Sequence, residues 1–211
     1  MASEADMALS AEQIRTGLAA VAAMEPGIAR ALERAGMPEP RVSQPGYRTL
    51  LRTIVGQQVS VAAAASVWAK LEALLGPEIP PGALLAAEFD ALRACGLSRQ
   101  KQGYARSLCT LVSEGQLDLT ALPADDEEAI AALTQIKGIG RWSAEIYLLF
   151  AEGRPDIWPA GDLAVQAGIG KLLDLPARPD EKATRLLAEG WRPHRGAVAI
   201  LTWHCYNNPA L

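Results

Sequence analysis

Helical periodicity almost throughout, no sustained alternation of apolar and polar residues, and prolines and glycines that fall between the periodic runs predict an all-α fold. Ser10 followed by Gln13 forms a capping box, since each side chain reaches the other's unsatisfied backbone amide, and this opens a first helix. Pro26 suits a first helical position and starts a second helix running to Ala35. Pro38, Pro40 and Pro45 lack the amide needed to continue, so this stretch is a linker. Helical periodicity resumes over Tyr47–Val55. It continues over Ser60–Leu75, where the run Ala62–Ala65 suits close helix packing. Further helices are expected at Pro81–Ala94, Arg99–Glu114, Glu127–Gln135, Arg141–Phe150, Leu163–Leu173, Asp180–Glu189 and Arg195–Tyr206.

Composition restricts the classes. The chain has 211 residues, half of them hydrophobic, and a net charge of −4. Mean hydropathy is +0.08, and much of it is alanine. No apolar run reaches the roughly 18–20 residues that span a bilayer. The start, MASEADMALSAEQ, is acidic and lacks the basic-then-apolar pattern of a secretion signal, so an intracellular protein with no membrane partner is expected. Cys95, Cys109 and Cys205 are scattered and odd in number, which suits buried thiols. His194 and His204 lie ten apart, outside helical zinc-ligand spacing, and Ser143 has no evident His/Asp partnership.

The segment from Leu133 to Gln166 concentrates the chemistry. Gly138 and Gly140 bracket Ile139, and glycine tolerates the positive φ of a tight turn between helices. Trp142, Ile146 and Leu149 follow at helical spacing, leaving unpaired amides near Gly140 that attract an oxyanion. Lys137 and Arg141 flank the turn with no acid between them. A bare Gly-x-Gly fits an ordinary αα-hairpin as well as a phosphate grip, and both readings stand on the turn alone. Asp162 opens the next helix, after a segment rich in proline and glycine, and there it serves as a helix cap or as a catalytic acid.

Net acidity and a pI near 5.3 argue against a surface coated in basic charge, as a nucleic-acid-binding protein often has. Distribution answers part of this. Arg93, Arg99, Lys101 and Arg106 occur without one acid, and acid collects elsewhere, in Asp125-Asp126-Glu127-Glu128.

Taken together, L-x-x-I-K-G-I-G-R-W-S-A with Asp162 beyond it, Ile54-Val55-Gly56-Gln57-Gln58-Val59-Ser60, and Trp191-Arg192-Pro193-His194-Arg195 through Trp203 resemble the helix-hairpin-helix DNA glycosylases of the 3-methyladenine DNA glycosylase II branch. The resemblance covers roughly residues 20–208. It implies two helical lobes with an active-site cleft between them: a central lobe at 46–154 with the helix-hairpin-helix at about 127–150, and a second built from 1–45 and 155–211. It looks like the compact form, without a β-rich N-terminal domain.

By the same resemblance, the expected activity is monofunctional excision of alkylated purines from double-stranded DNA by base flipping, with the protein acting as a monomer. Asp162 is the catalytic carboxylate, whose negative charge the start of its helix stabilises. Trp142 occupies the position where strand-nicking relatives carry a lysine nucleophile, so simple base removal is implied. Trp142 and Trp203, with Tyr147 nearby, would line a base pocket, because indole faces attract cationic methylated bases. Trp68 and Trp191 are left to the core. Gln58 matches the intruding residue, where many relatives have an apolar side chain, and Gln57 faces the cleft or caps the helix junction. The phosphate-binding hairpin is Lys137, Gly138, Ile139, Gly140 and Arg141. A sodium or potassium ion at the carbonyls of Thr134, Ile136 and Ile139 is implied, with no other cofactor. An iron–sulfur cluster held by C-terminal cysteines is excluded, since only Cys205 lies there. Two alternatives remain open: a glycosylase for deaminated or oxidised bases, and a noncatalytic DNA-binding module.

Overall fold

A computed structural model describes residues 9–208, which form twelve α-helices and contain no strand. The acidic start lies partly outside, in residues 1–8. Among the described residues no helix is long and apolar enough to cross a membrane. The chain divides into two compact units, one made of the residues up to Gln44 together with those from Leu148 onward, the other of Pro45–Tyr147. The division falls inside a helix rather than after residue 154.

In the unit built from both ends, α1 (Ala11–Ala22) begins at the expected capping box, with Ser10 and Gln13 each bonded to the other's backbone. It packs with α2 (Pro26–Ala35) and α12 (Arg195–Tyr206), and α12 also meets α10 (Leu163–Leu172). The central position of α12 follows from its sequence, because every residue from Gly196 to Thr202 is buried. Gly168 permits the close approach, since a Cβ there would lie 2.5 Å from the Thr202 methyl. The segment expected over Asp180–Glu189 is instead α11 (Glu181–Leu187), followed by a short 3₁₀ turn at Ala188–Trp191.

In the contiguous unit, α3 (Tyr47–Gly56), α4 (Val61–Leu75), α5 (Pro81–Ala86), α6 (Phe89–Ala94), α7 (Arg99–Ser113), α8 (Asp126–Thr134) and the first part of α9 (Arg141–Phe150) follow one another. The single helix expected over Pro81–Ala94 is two, broken where Ala87 and Glu88 are extended. Helix α7 is central and packs on α3, α5 and α6. Arg106, read from the sequence as part of a basic run, points its guanidinium at the carbonyls of Leu85 and Ala87 at the end of α5. Lys101 likewise donates to the Val55 carbonyl at the end of α3 (2.7 Å), and burial holds its ammonium below the ordinary lysine pKa. Arg99 lies over the Phe89 ring. Three of the four cations of that run therefore serve the fold first.

Trp68 and Trp191 are core residues, as expected. Trp68 donates to Glu72 and packs beneath the guanidinium of Arg52, and Trp191 meets Trp158 edge-on. All three cysteines are buried free thiols. The Cys109 sulfur lies 3.3 Å from the Tyr47 hydroxyl, and burial pushes both groups above their ordinary pKa.

Candidate active site

Asp162 caps α10. Its Oδ1 accepts from the amides of Ala164 (2.8 Å) and Val165 (2.9 Å) and from the indole N–H of Trp203 (3.3 Å). Three donors on one oxygen fix the carboxylate's orientation, and the helix start favours its charge. The Trp203 ring, oriented by that bond, packs on Phe150 with centroids 5.5 Å apart, and the guanidinium of Arg41 covers Phe150 at 5.1 Å.

The segment that delivers Asp162 is pinned at three points. Asp156 is bidentate to Arg195 (2.8 and 2.9 Å) and also bonds Arg192. Buried Trp158 donates to the Thr184 carbonyl, and buried Gln166, one turn along α10, donates to the Ala160 carbonyl. Sequence reasoning missed all three, because a polar side chain's long-range backbone partner leaves no local pattern. An internal pin of this kind is what a catalytic group needs for fixed placement.

The other candidates belong to the contiguous unit. The hairpin between α8 and α9 turns at Gly138, with φ of 84°, and a Cβ there would lie 2.2 Å from the Tyr104 ring. Gly140 differs from expectation: it has no positive φ, and a Cβ would meet nothing within 4 Å. Its smallness leaves open space at the start of α9 rather than permitting the turn. Lys137 is exposed, and its amide donates to Ser107.

Arg141 corrects the sequence reading. Its guanidinium is bonded to both oxygens of Glu127 (2.8 and 2.5 Å) and to Glu145 (2.9 Å), so its charge is already matched within the hairpin. These partners, Glu127 first, raise its pKa further. Glu127, from the acidic cluster that lies elsewhere along the chain, thus reaches the turn, while Asp125 caps the far end of α8. Tyr147 is only 3% exposed, and its hydroxyl accepts from the Gly46 amide at 2.6 Å, which anchors it at the start of α3.

Between α3 and α4, Gln58 is exposed with a φ of 55°, an uncommon left-handed backbone for a residue with a side chain. Gln57 is half-buried and donates to the Gly138 carbonyl at 2.7 Å. Both line a groove of about 810 Å³ together with Lys101, Tyr104, Gly138 and Trp142. Trp142 is 48% exposed there. The carbonyls of Thr134, Ile136 and Ile139 lie along the turn, with that of Ile136 accepting the Ile139 amide. No cluster of His, Cys, Asp or Glu side chains suited to a metal occurs among the described residues.

The HhH-GPD superfamily base excision DNA repair protein model matches residues 51–193, a span that includes the hairpin, the turn carrying the glutamines and the capped aspartate. The chain belongs to the HhH-GPD superfamily. It is 32% identical over 161 residues to DNA-3-methyladenine glycosylase 1 of Schizosaccharomyces pombe, covering 74% of this chain and 71% of that protein. Among solved structures, DNA-3-methyladenine glycosidase from Bacillus halodurans is similar with a TM-score of 0.83 and 30% identity, over 89% of this chain and 88% of that one. The 3-methyladenine DNA glycosylase Mag1 of S. pombe, in complex with abasic DNA, is similar with a TM-score of 0.75 and 28% identity, over 90% and 95% of the two chains.

Proposed function

We propose that this chain is a monofunctional DNA glycosylase that excises alkylated purines, 3-methyladenine and 7-methylguanine, from double-stranded DNA in base excision repair. The observation that carries this is the carboxylate of Asp162, held by three donors beside the Trp203 indole. Cleaving the bond between C1′ and the base builds positive charge on the sugar, and a fixed anion nearby stabilises it. The bonding pair leaves with the base, which neutralises the charge that methylation placed there. Water then adds its oxygen to C1′ and loses a proton, leaving an abasic site.

The reaction requires the nucleotide outside the stack. Gln58, exposed at the tip of its turn, is the proposed intruding residue, and the indoles of Trp142 and Trp203 are the faces proposed to hold a cationic base. The Gly140 amide at the start of α9, with Lys137 beside it, is the proposed phosphate grip. A monovalent cation at the carbonyls of Thr134, Ile136 and Ile139 belongs to the same proposal. The Ile136 carbonyl keeps a second lone pair beyond the Ile139 amide, and such a site needs no side-chain ligand. Support comes also from the names of the relatives above. The experiment is incubation of the purified monomer with methylated duplex DNA and measurement of free 3-methyladenine and 7-methylguanine. Release of neither base, with release of uracil or hypoxanthine from matching duplexes, moves the substrate class to deaminated bases. Tight binding without release of any base replaces the enzyme by a DNA-binding module.

A further inference from the structure

The turn carrying Gln58 and the glycine hairpin are tied together, and we infer that Gln57 is a positioning residue that couples base extrusion to the grip on the strand, rather than an intruding residue itself. Its side-chain amide donates to the Gly138 carbonyl at 2.7 Å, across 81 residues of sequence. A side chain anchored in this way is not available to enter a duplex.

Helix α7 backs both ends of that strut. At one end Lys101 bonds the Val55 carbonyl, where α3 finishes just before the glutamines. At the other, the Tyr104 ring covers Gly138 and Ser107 accepts from the Lys137 amide. Residues 101, 104 and 107 recur every third position, so they stand in one row along the helix. The row supports two separate pieces of backbone, and Gln57 joins those pieces directly.

Gln58 explains why a strut is needed. A residue with a side chain keeps a left-handed backbone only where its surroundings over-determine it. On one side Ser60 caps α4 by accepting from the Ala63 amide, and on the other the neighbouring Gln57 is fastened to the hairpin. When a phosphate seats on the hairpin, the Gly138 carbonyl is held, and through Gln57 so is the tip that must displace a base.

This role rests on the excision activity proposed above, so the test separates the two. Gln57→Ala and Gln57→Glu are compared with the unsubstituted protein on duplexes carrying 3-methyladenine opposite thymine or opposite an abasic gap, where extrusion is already cheap. Extrusion itself is read by the emission of a neighbouring 2-aminopurine. Gln57→Ala is expected to unfold roughly 1–6 °C below the unsubstituted protein, the loss of one hydrogen bond, and to bind DNA within about 2-fold. On the paired duplex its kcat falls roughly 5- to 10-fold, the worth of one hydrogen bond, with a matching loss of emission. On the gapped duplex it returns to within about 2-fold of the unsubstituted protein. Gln57→Glu loses as much at neutral pH, and its ratio to the unsubstituted protein recovers as pH falls, because a protonated carboxyl again donates to the carbonyl. Equal kcat on the paired duplex, or the same loss on both duplexes, overturns the coupling role. An unsubstituted protein that extrudes without excising overturns the glycosylase reading instead, and the emission comparison still decides Gln57.

Discussion

Replacing Asp162 by Asn removes a charge while keeping the helix cap. All three donors converge on Oδ1, so the amide oxygen takes that place and the amide nitrogen the other. Asn caps helices about as well as Asp. Losing the attraction between a carboxylate and the helix start costs the folded state about 0.3–1 kcal/mol, or roughly 1–4 °C in Tm for a chain of this size. The transition state loses a fixed anion beside a developing cation. One preorganised group of this kind is worth about 2.7–4 kcal/mol, so excision falls at least about 10²- to 10³-fold. Asp162→Ala adds the loss of the cap, about 0.5–2 kcal/mol, and leaves the Trp203 N–H without this partner. Three measurements on each variant suffice: thermal unfolding, affinity for duplex carrying an abasic-site analogue, and single-turnover release of 3-methyladenine. Asp162→Asn is expected to fold and bind like the parent and to fail in the third. Release above about a tenth of the parent rate would show that the carboxylate serves only as a cap.

The two hairpin glycines should separate on substitution. Gly138→Ala combines positive φ with a collision against Tyr104 and costs more than about 2 kcal/mol in denaturant unfolding, whereas Gly140→Ala leaves stability unchanged and weakens DNA binding by blocking backbone approach. Lys137→Gln should lower the slope of log affinity against log salt by about one with little change in Tm, while Arg141→Gln should chiefly destabilise, because it strips a cation from Glu145, whose side chain is 2% exposed. Burial raises the Glu152 pKa, with Arg154 opposing more weakly. A carboxyl raised on folding gives stability below its unfolded pKa that is lost as pH rises through the folded value, so Glu152→Gln should out-stabilise the parent near about pH 7 and match it near about pH 4 in thermal scans. Borohydride added during turnover should trap no covalent adduct with DNA if, as the resemblance implies, Trp142 takes the place of an imine-forming lysine. A trapped adduct on denaturing gels refutes simple hydrolysis.

Local chemistry was legible from the residues. The capping box at Ser10, the start at Pro26 and the cap at Asp162 each depend on neighbours within three or four positions, and the structure has all of them. The break at Ala87 and Glu88 was not legible, since neither residue carries a strong breaker signal and the extension there is fixed by packing on α7. Charge was misread for a related reason. Arg141 looked free because no acid lies between it and Lys137, yet Glu145 one turn along α9 and Glu127 across the turn both reach it, and Arg106 directs its charge at carbonyls that no sequence pattern identifies. Tyr147 shows the same limit, since the partner of its hydroxyl is 101 residues away.

The split origin of the unit that holds Asp162 sets an order on biosynthesis. Pro45–Tyr147 is continuous and can condense as soon as it leaves the ribosome, whereas Ile14, Leu18 and Val21 of α1 must wait for α12, the last of the described helices to be translated, before their apolar face is covered. A nascent chain halted before Arg195 would thus carry a finished hairpin with no closed acid-bearing half, and its uncovered first helix would be a natural target for holding chaperones.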